Sequence, residues 1–108
     1  MVGTPREFFE KVLPGRFDAS KAAGVEAVVQ MNIAGSDGGG WVVTVKDQKM
    51  QVKEGTHPSP TITVRVADTD FVDLVNGRLG AVDAFMTGKL EFKGNIAVGM
   101  RLMELGFM

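Results

Sequence analysis

Cysteine is absent from the 108 residues, which excludes disulfides, thiolate metal sites and a cysteine nucleophile. Histidine occurs once, as His57 in the segment EGTHPSP, with no second imidazole to share a metal, so it is expected to be a plain loop residue. Excess charge of either sign is missing as well. Twelve basic and thirteen acidic side chains give a net charge of −1, and no global field attracts nucleic acid or an anionic membrane. No apolar run reaches the roughly eighteen residues of a transmembrane helix, and the opening MVGTPREFFEKV has no apolar signal core. The expectation is one soluble, non-secreted, cytoplasmic domain over residues 1–108, with at most transient membrane contact and no nucleic-acid partner.

Catalytic constellations are lacking too. There is no Gly-x-Ser-x-Gly elbow, and Ser20, Ser36 and Ser59 have no histidine–carboxylate pair in view. Asp37-Gly38-Gly39-Gly40 resembles a phosphate cradle only in its glycines, because it joins two strands and lacks the lysine and helix start of a P-loop. Asp68, Asp70 and Asp73 fit no calcium loop, and acids favour helix N-termini in any case. No catalytic residue, cofactor or metal is therefore assigned.

What remains is a well-punctuated pattern of elements. Thr4-Pro5-Arg6-Glu7 combines a capping threonine, a proline at the first helical position and a glutamate at the third, so a helix starts there. Phe8, Phe9, Val12 and Leu13 form its apolar stripe, and Pro14-Gly15 is expected to end it. Asp18 caps a short turn closed by Gly24. From Val25 the period becomes two: Val25, Ala27, Val29, Met31 and Ile33 share one face of a strand. Trp41, Val43 and Val45, then Met50 and Val52, then Ile62, Val64 and Val66 continue as three more strands, the first three forming an antiparallel meander. Asp68 or Thr69 caps a helix carrying Phe71, Leu74 and Val75. Val82, Phe85 and Met86 repeat that spacing, Leu90 and Phe92 mark a fifth strand, and Gly94-Asn95 introduce a last helix.

The last helix is too apolar for a surface position. At about 100° per residue its polar side holds only Ala97, Arg101 and Glu104 within about 60°, whereas Val98, Gly99, Met100, Leu102, Met103 and Leu105 spread over about 220°. It must meet apolar material on more than one side: a sheet, and then another helix, a partner subunit or a bound lipid. The seven methionines add to this reading, since flexible thioethers suit either a filled core or a wall that adapts to varied ligands.

The ordered segments FFEKVLPGRFDASKAAGVEAVVQMNIAG, GGGWVVTVKDQKMQVKEG, TITVRVADTDFVDLVNGRL and DAFMTGKLEFKGN closely resemble the sterol carrier protein 2 family over nearly the whole chain. The most specific pieces are the D-x-x-x-L-x-x-G run from Asp70 to Gly77 and AFMTGKLEFKG from Ala84 to Gly94. The resemblance implies an α+β fold: a five-stranded, mainly antiparallel sheet with helices packed on one face, enclosing an apolar tunnel. It further implies a non-enzymatic carrier whose partner is a hydrophobic lipid, whether sterol, fatty acid, fatty acyl-CoA or phospholipid. Two departures stand out. Asp47-Gln48 replaces the Asp-Gly common in the second hairpin, and the ending Gly106-Phe107-Met108 lacks the small-basic-leucine tail of peroxisomal relatives. A stand-alone bacterial-type module is expected.

On this reading Met31, Ile33 and Val43 form the tunnel floor, Phe71, Leu74, Phe85 and Met86 one wall, and Met100, Met103 and Phe107 the mouth. A void of about 400 Å³ would cost roughly 10 kcal/mol if left empty, so the tunnel is expected to hold lipid or to be partly collapsed by its methionines. The alternative is an interaction or dimerisation module, monomer or homodimer, that assists an enzyme acting on a hydrophobic substrate.

Overall fold

Thr4 opens the first helix as its sequence predicts: its hydroxyl accepts the Glu7 amide (3.2 Å), and the Glu7 carboxylate reaches back to accept from Gly3 N–H (3.0 Å). The computed structural model describes residues 2–103. The N-terminal helical segment has three parts: α1 (Pro5–Glu7), a π-helical turn (Phe8–Val12) and α2 (Leu13–Arg16). Pro14-Gly15 therefore does not end the helix, which runs on to Arg16. The physical reason lies in the widened turn. Proline has no N–H to give and its ring crowds the carbonyl four residues back, and a π turn displaces that carbonyl from the position it holds in an α-helix. Asp18 then caps a 3-10 turn (Ala19–Ala22), its carboxylate accepting from the Ser20 amide (3.0 Å) and hydroxyl (2.6 Å), which holds its pKa below the usual range.

The strands are β1 (Ala27–Ala34), β2 (Gly39–Lys46), β3 (Lys49–Glu54), β4 (Ile62–Ala67) and β5 (Leu90–Lys93), ordered β3-β2-β1-β4-β5. The β1–β2, β2–β3 and β4–β5 pairs are antiparallel, whereas β4 returns beside β1 in parallel, with Met31 opposite Val64 and Ile33 opposite Val66. The sheet is thus mixed but mainly antiparallel. At the β2–β3 turn Asp47 and Gln48 both take left-handed backbone (φ 52° and 59°), so the hairpin keeps its tight form without glycine, and the Gln48 amide donates to the Ala19 carbonyl (3.0 Å).

Among the described residues, the N-terminal helical segment, the 3-10 turn, α3 (Asp68–Val75) and α5 (Ile96–Met103) pack on the face that carries Val29, Met31, Ile33, Trp41, Val43, Val45, Ile62 and Val66, every one of them buried. α3 contributes Phe71 and Val75 to this core, and α5 contributes Leu102. α3 is not capped by Asp68 or Thr69. Because β4 pairs with β1 as far as Ala67, Ala67 takes the cap position, and the Asp68 carboxylate instead accepts from the amides of Asp37 (3.1 Å) and Thr69 (2.8 Å). α5 begins as predicted, with Asn95 Oδ1 accepting from Val98 N–H (3.2 Å). In α4 (Ala81–Met86) the buried member is Ala84, while Val82, Phe85 and Met86 face outward. The tight exit through Gly88, with Lys89 N–H donating to the Ala84 carbonyl (2.8 Å), turns the smallest face of α4 inward.

The other sheet face is mostly polar, with half-buried Val28 and Val42, and its one buried polar side chain is Gln30. Its amide donates to the carbonyls of Gly55 (3.1 Å) and Trp41 (3.5 Å) and to Asn32 Oδ1 (3.2 Å), and its oxygen accepts from His57 N–H (2.8 Å). This clamp seats the loop after β3 against β2, where a Cβ on Gly40 would stand 2.7 Å from the Gly55 carbonyl oxygen. Gln30→Leu is expected to lower the unfolding free energy by about 1–2 kcal/mol, because backbone groups buried beneath the loop lose their partners. Urea denaturation of the two proteins checks this.

Candidate functional site

Packing of the N-terminal segment over the β2–β3 side of the sheet leaves an open groove of about 380 Å³, lined by Phe9, Glu10, Pro14, Phe17, Trp41, Met50 and Val52. The lining follows from local structure. In the β2–β3 ladder Val43 faces Val52 and Val45 faces Met50, so the period of two puts both β3 residues on the helical face. Opposite them, the π turn and α2 present Phe9, Pro14 and, just beyond, Phe17. Six of the seven lining residues are apolar, and Glu10 is the single acid.

The inner end of the groove is an aromatic stack. Phe9 lies nearly parallel to Trp41 (centroids 5.0 Å apart, 18° between planes) and to Phe71 (5.2 Å, 18°), while Phe8 meets Phe9 and Phe71 edge-on at 5.5 and 5.4 Å. At the rim the Arg6 guanidinium sits 5.2 Å over the Trp41 ring and pairs with Glu54 on β3 and Glu10 on the π turn. The hydrogen bond that Arg6 donates to the Glu54 carboxylate raises the Arg6 pKa further, so the rim cation is permanent. A second depression, about 190 Å³, has a mixed lining of Gly3, Pro5 and Val72 with Asp37, Asp68, Thr69 and Asp73. No group of three or more ligating side chains suited to a metal occurs among the described residues. His57 accepts from Ser59 N–H through Nδ1 (3.0 Å) and belongs to the loop clamp.

The residues predicted to line a tunnel divide into three groups. Met31, Ile33, Val43 and Phe71 meet in one buried core, with half-buried Leu74 packed against it. Phe85, Met86 and Met100 are exposed, and Met103 is half-buried at the end of α5. Phe107 lies outside the described residues. Phe8, Phe9, Phe71 and Trp41 interlock as stacked and edge-on rings between the helices and the sheet, in the same core as buried Met31 and with Met50 packed against it. Sequence reasoning missed the role of Phe9, Phe17, Trp41, Met50 and Val52 in a groove. The available signal was the adjacent pair Phe8-Phe9, which points two bulky rings about 100° apart and so serves two environments rather than one stripe.

Comparison with known proteins places this geometry in context. A model of the SCP-2 sterol transfer family matches residues 9–106. Hydroxysteroid dehydrogenase-like protein 2 of Mus musculus is 39% identical over 82 residues; the match covers 74% of this chain but only 16% of the mouse protein's length. The palmitated SCP2L2 of Aedes aegypti, a solution structure, superposes with a TM-score of 0.64 at 30% identity, covering 85% of this chain and 88% of that one. A sec-alkylsulfatase from Pseudomonas sp. shares the fold, with a TM-score of 0.82 at 18% identity, over 96% of this chain and 16% of the enzyme.

Proposed function

Since the chain belongs to the SCP-2 sterol transfer family, we propose that it is a non-enzymatic lipid carrier that holds a long acyl chain in the groove between the N-terminal helical segment and the β2–β3 hairpin. The observation that carries this reading is the lining itself: an open groove of about 380 Å³, within the usual range of small-molecule sites, with apolar side chains at six of its seven lining positions. Met31, Ile33, Val43 and Phe71, with Leu74 packed against them, belong to the same apolar core as the groove's Phe9 and Trp41. Arg6, over the Trp41 ring, stands at the rim where the polar end of the lipid would emerge. The palmitated state of the Aedes aegypti protein favours an acyl chain as the ligand. The whole of residues 1–108 acts as one lipid-binding domain, with the cytoplasm as its place.

The energetics are sufficient without catalytic groups. Burying a sixteen-carbon tail contributes on the order of 12 kcal/mol, and association and ordering remove about half, which leaves micromolar binding within reach. Trp41, the single tryptophan, lies in the groove and reports on occupancy. Spin-labelled fatty acid is expected to quench its fluorescence saturably, unlabelled palmitate to compete, and Val52→Glu to weaken both about tenfold. Solvent extraction of the purified protein with mass spectrometry identifies any lipid already held. Linear, non-competable quenching together with an empty extract would exclude the carrier reading.

A further inference from the structure

The groove along β3 is bridged at both ends. At one end Arg6 of α1 donates to the carboxylate of Glu54, the last residue of β3, and lies over the ring of Trp41, which stands opposite Glu54 in the ladder. At the other end the Gln48 side-chain amide donates to the Ala19 carbonyl (3.0 Å) and ties the β2–β3 turn to the 3-10 turn. Arg6 thus meets Glu54 and Ala19 meets Gln48, so the N-terminal segment runs against the direction of β3. The apolar lining lies between the two bridges, with Phe9, Pro14 and Phe17 on the helical side and Val52 and Met50 on the strand.

The bridges fix the length of this trough. Glu54 follows Gln48 by six residues, which at about 3.3 Å per residue of strand span about 20 Å. An extended methylene chain, with bonds of about 1.5 Å at near-tetrahedral angles, advances about 1.3 Å per carbon. About sixteen carbons therefore fill the trough, and a chain of twenty overruns it by about 5 Å. An aliphatic end cannot replace the amide–carbonyl bond it would have to break to pass Gln48, so the excess is turned out into water. Turn geometry alone does not call for glutamine here. Gln48 takes a φ of 59°, in the left-handed region where side chains are uncommon and glycine serves such hairpins better, so its side chain has a use beyond the turn.

We infer that Gln48, clasped to Ala19, is the end-stop of the groove and fits the protein to acyl tails of up to about sixteen carbons. On the carrier reading, on which this rests, the polar end of the lipid lies at Arg6 and the methyl end arrives at Gln48. The test is competition by saturated fatty acids of twelve, sixteen and twenty carbons against spin-labelled fatty acid, each below its micelle-forming concentration and read by Trp41 quenching in the full chain. Wild-type affinity is expected to rise about twofold per added carbon up to sixteen, as a half-open wall allows, and then to level off. Gln48→Gly removes the clasp and keeps the turn, since glycine adopts the same backbone readily. In that variant affinity is expected to go on rising, with the twenty-carbon acid bound about tenfold more tightly than by the wild type. A clasp that only steadied the fold would lower the urea midpoint without moving the length at which affinity levels off. That result, or a wild-type affinity that keeps rising from sixteen to twenty carbons, overturns the end-stop and leaves the carrier reading standing. Absence of saturable quenching with any chain overturns both.

Discussion

Phe9→Ala is expected to lower the unfolding free energy by about 3–5 kcal/mol, a large share of the 5–15 kcal/mol of an ordinary domain. Phe9 is fully buried and is the ring on which the others depend: it stacks on Trp41 and on Phe71 and meets Phe8 edge-on. Truncation removes the transfer free energy of the ring and leaves a void whose walls are the aromatic partners and the groove. Because that void opens toward the groove, the substitution separates stability from binding. Urea denaturation should show the loss, while palmitate, if it fills the vacated space, should restore more stability to the variant than to the wild type. A fall of less than about 1 kcal/mol would mean that the stack is not the keystone of the helix–sheet interface.

Gly99→Leu carries the second large effect. A Cβ at this position would stand 2.6 Å from the Phe92 ring, closer than real contacts allow, so α5 rides on β5 only because residue 99 has no side chain. Glycine inside a helix costs about 1 kcal/mol relative to alanine, and here that cost is offset by the close approach that buries Leu102. A leucine must lift the helix or drive the ring aside, with an expected loss of about 3 kcal/mol from overpacking and from exposure of Leu102. Combining it with Phe92→Ala should return part of this loss, and the coupling measured in that double-mutant cycle is the decisive observation. Additive effects would show that residues 92 and 99 do not share the contact.

The two cases differ in how far the sequence foretold them. The apolar arc of the last helix was visible on a wheel, and so was the need for apolar neighbours on more than one side. That Gly99 and Leu102 take the sheet while Ile96 and Met100 face outward was not. Likewise Val82, Phe85 and Met86 read as a packed stripe and proved to be the outer face, because the turn through Gly88 fixes the roll of a six-residue helix. Pro14-Gly15 read as a stop, and a π turn carried the helix through it.

By itself the sequence determined the order of elements, the caps at Thr4, Asp18 and Asn95, and the single apolar face of the sheet. These follow from interactions within a few residues and from periods of two and 3.6, which any stretch of chain displays. The ordered segments also carried the family likeness, which the match over residues 9–106 makes firm. Tertiary structure alone decided the parallel pairing of β4 with β1, the aromatic stack of Phe9 with Trp41 and Phe71, and the meeting of Phe9 and Phe17 with Trp41, Met50 and Val52 in one groove. Those contacts join segments tens of residues apart. Their geometry is set by how rigid rings and short helices fit together, which no local period encodes.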